Sequence, residues 1–326
     1  MQAPTLTDGP VTLRAHRPDD VSFVVEYGGR FAGEVGLRPD GQGAAQLGFG
    51  LAPWARGRGL MSAAVRLALT WGFAEAGLTV VHWRAPVGDW ASRRVAWACG
   101  FRIEGTVRGL ETRRGERRDA WIGSILPEDE TRPRHPWLEV PRLVGDRVVL
   151  RRHVDGDALR IAEACAHPTT QRWLPDLPSP YTVVDAAEYV AGREEQHACG
   201  AGLYWAIASP DDDRLLGAVG LMELGGGSRS GEIGYWVHPD ARGKGVAAAA
   251  TRLAARHALL PDDVGGLGLA RVTLRAAEPN VASRRTAENA GFTAVGRDRD
   301  AERLRDGTVC DFVRYDLLAT ELRTPP

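Results

Sequence analysis

Apolar positions along this chain follow two spacings, every second residue and then every third or fourth, and this alternation runs through the chain twice in the same order. Gln46-Leu47-Gly48-Phe49-Gly50-Leu51 and Glu232-Ile233-Gly234-Tyr235-Trp236-Val237 read as strands. Each leads through a short glycine turn into a helical pattern with one apolar face. Leu60, Ala63, Ala64, Leu67, Trp71 and Ala74 form that face in the first case; Val246, Ala249, Ala250, Leu253, Ala254 and His257 form it in the second. Thr79 to Arg84 and Arg271 to Ala276 are the next strands, followed by helices that stop at Gly100 and Gly291, the residue type favoured just past a helix end. Final strands fall around Ala120 to Gly123 and Phe312 to Tyr315.

The correspondence extends upstream. Arg30 to Leu37 matches Arg214 to Leu221, and Val11 to Arg14 matches Val148 to Arg151, so the matches stay collinear and the chain reads as two copies of one fold. Expected boundaries are a first domain at 1–126, a Pro-rich and charged linker at 127–142 and a second domain at 143–323. Between its first two matched strands the second copy carries about 47 residues that the first lacks, roughly Ala158 to Gly202. Their pattern suggests two helices around the Pro-rich Trp173 to Pro178. Either the first copy is shorter after Asp20 or a segment is missing there, and both readings stay open.

Composition narrows the function. With 44% hydrophobic and 25% charged residues, 326 residues suffice for two ordinary cores. The formal net charge of −1 argues against a nucleic-acid binder, which carries a strong basic excess. Cys99, Cys165, Cys199 and Cys310 are scattered without metal-type spacing, so no metal site is expected and a reducing compartment is. No stretch reaches membrane-span length and the N-terminus has no leader pattern, which predicts a cytoplasmic protein without a membrane partner.

The two glycine turns carry the chemistry. In Arg242-Gly243-Lys244-Gly245-Val246-Ala247 and Arg56-Gly57-Arg58-Gly59-Leu60-Met61, glycines let backbone N–H groups at a helix start converge on an anion, with basic side chains beside them. A P-loop would need a hydroxyl residue after Gly-Lys, and here Gly and Val follow. A Rossmann turn would follow the first strand of a βαβ unit, whereas these turns follow several strands.

Together with Gly234 to Pro239 and with Asn280-Val281-Ala282-Ser283 running on to Gly291-Phe292, these turns make both copies resemble GNAT-superfamily N-acyltransferases of the RimJ and RimL branch. The resemblance spans nearly the whole chain. It implies an α/β (α+β) architecture of two tandem GNAT folds, each a mixed, mostly antiparallel sheet flanked by helices, with acetyl-CoA as co-substrate and a small-molecule or peptide amine as acceptor. In the family, a turn beginning with Gln or Arg cradles the pyrophosphate; here that leading position is Asp240 in one copy and Trp54 in the other, which leaves the contact to Arg242 or Arg56. Val237 and Leu51 would supply a strand edge for the pantetheine arm, and the backbone near Val237 an oxyanion donor.

Glu232 is the expected base, acting through a water. Ser283 is placed either as proton donor to the thiolate or as a cofactor contact, Asn280 as a cofactor contact, and helix capping is the alternative for both. Tyr235 and Tyr315 are further candidate acids. The first copy has Gln46 and Asp89 at the positions of Glu232 and Asn280, so it is expected to bind CoA with little or no turnover, Glu34 being a substitute base. Trp173, Asp176, Tyr181 and Glu223 are candidates for the acceptor cleft. A tandem chain can act as a monomer with an internal pseudo-dimer, or as a homodimer. Competing readings are an acyl-CoA-binding sensor without turnover and, among enzymes, a chain resembling mycothiol synthase, in which one of two copies is active.

Overall fold

The computed structural model describes residues 4–15, 21–224 and 229–322. The chain forms two compact units, residues 1–135 and 136–326, each with its own sheet and core.

Unit 1 runs β1 (Leu6–Asp8), β2 (Val11–Ala15), β3 (Ser22–Tyr27), β4 (Arg30–Pro39), β5 (Ala44–Leu51), α1 (Leu60–Ala74), β6 (Val80–Pro86), α2 (Trp90–Ala98), β7 (Arg102–Arg113) and β8 (Glu116–Ile125). Unit 2 runs β9 (Leu143–Val144), β10 (Val149–Arg151), α3 (Ala158–Ala166), α4 (Pro168–Trp173), α5 (Val183–Ala198), β11 (Gly202–Ala208), β12 (Leu215–Met222), β13 (Ser230–Val237), α6 (Val246–Leu259), β14 (Arg271–Ala277), α7 (Val281–Ala290), β15 (Thr293–Arg303) and β16 (Val309–Leu318). The sheet orders are β1-β2-β3-β4-β5-β6-β8-β7 and β15-β16-β14-β13-β12-β11-β10-β9, the same arrangement read from opposite ends. Among the described strand pairs, β5 with β6 and β13 with β14 are the parallel ones. Each parallel pair is joined by the long helix that follows a glycine turn.

Alternation decides which face of each sheet is filled. On β13, Ile233, Tyr235 and Val237 join the cluster under α6, with Leu203, Trp205 and Ile207 of β11. Glu232, Gly234 and Trp236 therefore face the other way, toward α3 and α5. There Ala158, Ile161, Cys165, Tyr181 and Ala186 form a smaller cluster with Ala206, Leu215 and Trp236. Removing such a buried side chain from water contributes roughly 1.5–3 kcal/mol.

The expected pair of helices in 158–202 is three. His167 has an extended backbone and Pro168 begins α4, so the chain breaks and restarts instead of continuing α3. Residues 16–20, where unit 1 would hold its equivalent of these helices, lie outside the described residues; β2 pairs directly with β3. Gly291 has φ 99° and caps α7, and Gly100, at φ 83°, follows the end of α2. Among the described residues no helix is long and apolar enough to cross a membrane.

Candidate active site

The site of unit 2 begins where two strands part. β13 and β14 pair at Ser230 with Arg271, Gly231 with Val272 and Glu232 with Thr273, and no further. Beyond that point β13 stays with β12 out to Val237, while β14 stays with β16 out to Ala277. A V-shaped notch opens, with Glu232 at its apex. His238 donates its backbone N–H to Leu216 O on the β12 side, so strand alternation aims the N–H groups of Val237, Tyr235 and Ile233 into the notch. Unit 1 repeats this. β5 and β6 part after Gln46 and His82, and Ala52 N donates to Ala32 O, which aims the N–H groups of Leu51, Phe49 and Leu47 into its own notch.

Each notch ends at a glycine turn. Gly243 and Gly245 have φ of 72° and 75°, and Gly57 and Gly59 have 72° and 73°, a left-handed backbone that a side chain disfavours by about 1–2 kcal/mol. A Cβ added at any of the four would meet nothing within 4 Å, so the space above these backbones is open. The first turns of α6 and α1 have no side-chain cap and no acidic residue. Those N–H groups and the positive end of the helix dipole face that opening, an arrangement that fits a pyrophosphate. Val246, Leu60 and Met61 turn their side chains into the core, so only their backbones, like that of Ala247, can serve a ligand. Lys244 and Arg58 are exposed, and Lys244 Nζ donates to Asp240 O, 2.9 Å away.

The arginine that opens each turn reaches back to the last carbonyl of the preceding strand. Arg242 Nε donates to Val237 O at 3.1 Å, and Arg56 Nε donates to Leu51 O at 3.3 Å. In unit 2 the Arg242 guanidinium goes on to Thr170 Oγ1 at 2.7 Å and to His167 Nδ1 at 3.5 Å, and burial lowers its pKa. The turn is thereby tied to α4. Asp240 gathers a second network: Arg160 binds it at 2.9 and 3.0 Å, Arg214 at 3.0 Å and His238 at 2.8 Å. Burial pushes the Asp240 carboxyl up, but its hydrogen bonds from Arg160 and His238 outweigh that and hold it below the usual range.

Arg275, on the opposite arm of the notch, donates Nε to both Glu232 oxygens at 3.0 and 3.1 Å. A carboxylate has about four lone-pair directions, so this pairing leaves acceptor capacity toward the notch. At the corresponding place in unit 1, Gln46 Nε2 donates to Leu47 O and His82 O, and Arg84 turns instead to Glu111. Asn280 accepts from Ser283 N and caps α7, as Asp89 accepts from Ser92 N and caps α2. Ser283 Oγ lies 3.0 Å from Tyr235 OH, joining α7 to β13, and burial raises the Tyr235 pKa. Ser92 instead accepts from Trp83 Nε1, since unit 1 has Phe49 where unit 2 has Tyr235. Tyr315 is buried between Arg284 and Glu288.

Of the acceptor-cleft candidates, Trp173 packs beside Phe312, Tyr181 is buried under α3 and α5, and Asp176 and Glu223 are exposed. Sequence reading missed Arg275, whose place opposite Glu232 follows from its position two residues past Thr273 on the same strand face. It also missed the stack of Arg193 on Tyr189 of its own helix α5 and on Tyr204 of β11. In unit 1, among the described residues, a cavity of about 1150 Å³ runs over Phe31, Glu34, Gly36, Gly48 and Gly50.

The acetyltransferase (GNAT) domain family matches residues 10–102 and 147–293, one segment in each unit. Bacillus subtilis (strain 168) YdaF, which carries the name of a ribosomal N-acetyltransferase, is 29% identical over 185 residues, 55% of this chain and 94% of that protein. Mycobacterium smegmatis RimJ, solved with CoA-disulfide, is 23% identical with a TM-score of 0.50, over 58% of this chain and 92% of that one. A ribosomal-protein-S5-alanine acetyltransferase from Vibrio fischeri is 15% identical with a TM-score of 0.49, over 56% and 100%.

Proposed function

Since this chain belongs to the acetyltransferase (GNAT) domain family, we propose that unit 2 moves an acetyl group from acetyl-CoA to a primary amine by direct attack, and that unit 1 binds CoA without efficient turnover. The observation that carries this division is the residue at each notch apex: Glu232, a carboxylate with Arg275 behind it, in unit 2, and Gln46, which cannot accept a proton at neutral pH, in unit 1.

The chain's own groups fall into the order the reaction needs. Backbone N–H groups at Gly243 to Ala247 hold the pyrophosphate, and the free edge of β13 lines up the pantetheine arm. Glu232 takes the ammonium proton through a water, which makes the amine nucleophilic. The Val237 N–H, aimed into the notch, donates to the oxygen that becomes negative as the tetrahedral centre forms. Ser283, linked to Tyr235, contributes the hydroxyl pair from which the leaving thiolate recovers a proton. Arg242 couples the turn to α4, so cofactor and acceptor sides are held by one side chain.

The relatives' names point to ribosomal proteins, and a spermidine N-acetyltransferase is among the similar folds, so acceptors from protein N-termini to small amines belong in the test panel. Incubating the full chain with acetyl-CoA and that panel while following free thiol is the test. Acceptor-dependent thiol release supports the transferase; saturable CoA binding with no release from any amine would favour the sensor reading.

A further inference from the structure

Glu232 is not the only charge on the acceptor face of unit 2. Arg193, on α5, lies with its guanidinium 4.2 Å from the Tyr189 ring centre and 4.4 Å from that of Tyr204. Its Nε donates to Tyr189 O at 3.1 Å. Among the described residues no carboxylate lies within 4 Å of it, and the neighbouring Glu194 is paired with Arg152 instead. Two histidines packed nearby add no negative charge: burial, with contributions from the surrounding arginines, holds His153 and His197 at about 4, and both are neutral near pH 7. A half-buried cation stacked on two aromatic faces, with no counter-charge, is a place where an anion gains more than it would in water.

Strand register puts this cation on the same surface as Glu232. Tyr204 pairs with Gly220, and Gly220 with Gly234; Glu232 is one pleat farther along the same face. Gly220 and Gly234 carry no side chain in this row, and the flexible end of Met222, the partner of Glu232 across β12, reaches over Gly234 to form the floor between the two sites. The Tyr204 ring lies against Gly220, where a Cβ would come within 2.8 Å of it. Two strand spacings and one pleat separate Tyr204 from Glu232, on the order of 10 Å. Unit 1 has Ser22 opposite Gly36 where unit 2 has Tyr204 opposite Gly220, and so has no ring at that position.

We propose that Arg193 anchors an oxyanionic group of the acceptor, so that unit 2 selects amines carrying a carboxylate or phosphate several bonds from the nitrogen that is acetylated. This rests on the transferase reading of the notch. The separation excludes the carboxylate of a free α-amino acid, which sits too close to its own amine. It suits a longer ω-amino acid, a peptide with an acidic residue near its N-terminus, or an amine linked to a phosphate. Arginine matches either oxyanion with two parallel N–H groups, which a lysine cannot do.

The test uses the full chain, a ladder of ω-amino acids of increasing length, their carboxamides, and amino-alkyl phosphates with the corresponding amino alcohols. For the better-fitting lengths, kcat/KM of wild type should favour each acid over its neutral partner by about tenfold or more, the value of one charge-assisted pair. The preference should lie mainly in KM. In Arg193→Gln the acid-to-neutral ratio should collapse toward one, and in Arg193→Lys it should fall part of the way. A purely structural role would lower both members of each pair together and leave the ratio intact; that result, or a wild type indifferent to the anion, overturns the proposal. The carboxylate and phosphate arms show which oxyanion is favoured. If no amine of any kind releases thiol, it is the transferase reading that fails, and this inference falls with it.

Discussion

Replacing Gly245 with alanine separates the two jobs this glycine could have. At φ 75° an alanine is disfavoured by about 1–2 kcal/mol, and since the new Cβ meets nothing within 4 Å, no clash adds to that cost. Gly59, at φ 73° with the same open surroundings, should lose the same amount in unit 1. If the turns only connect a strand to a helix, the effect ends there. If they cradle a pyrophosphate, the methyl group also intrudes on the space where its oxygens approach the helix N–H groups. CoA affinity should then fall about tenfold or more, roughly 1.4 kcal/mol. Calorimetric titration with CoA reads this directly. Wild type should bind two equivalents per chain, and each variant should weaken one of them, with urea unfolding reporting the separate stability cost. A stability loss near 1 kcal/mol with unchanged CoA affinity and stoichiometry in both variants would refute the phosphate-cradle reasoning.

Further expectations concern the scaffold around the unit 2 site. Arg151 and Asp157 form a buried, two-point ion pair at 2.8 Å, with Asp213 also on Arg151 at 2.9 Å. Asp157→Asn should lower urea stability by about 3 kcal/mol, because it leaves a buried guanidinium short of charge; a loss below about 1 kcal/mol would show the pair to be dispensable. His153 and His197 are held at about 4 by burial, below the ordinary 6.5. Above pH 6.5 they are neutral whether folded or unfolded. As pH falls from 6.5 toward 4 the unfolded chain takes up protons that the folded chain does not, so stability should drop by about 1.4 kcal/mol per pH unit for each histidine. Urea midpoints compared at pH 7 and pH 5 measure it, and a flat profile would contradict the burial of these rings.

Local pattern carried much of the architecture. The duplicated order of strands and helices, the apolar faces of α1 and α6, and the glycines at 57, 59, 243 and 245 are readable because each depends on residues close together in sequence. The site's partnerships are not of that kind. Arg242 meets Thr170 and His167 across more than seventy residues, and Glu232 meets Arg275 only because β13 and β14 pair in one register and then part. No periodicity encodes where two strands separate. The extra break at Pro168 lay in plain view, but a proline that starts a helix and one that ends a helix look alike until the preceding residue's backbone is known. Asn280 and Ser283 illustrate a mixed case. Their spacing signals a helix start, while the bond from Ser283 to Tyr235 depends on how α7 packs against β13.

The division of labour proposed for the two units rests on one carboxylate, and Glu232→Gln turns the apex of unit 2 into that of unit 1. The decisive measurement is acceptor-dependent thiol release by this variant at saturating acetyl-CoA and amine, with CoA affinity determined alongside. The predicted result is a fall in kcat of a hundredfold or more with CoA affinity held within about twofold; turnover equal to wild type would contradict the assignment of Glu232 as the base.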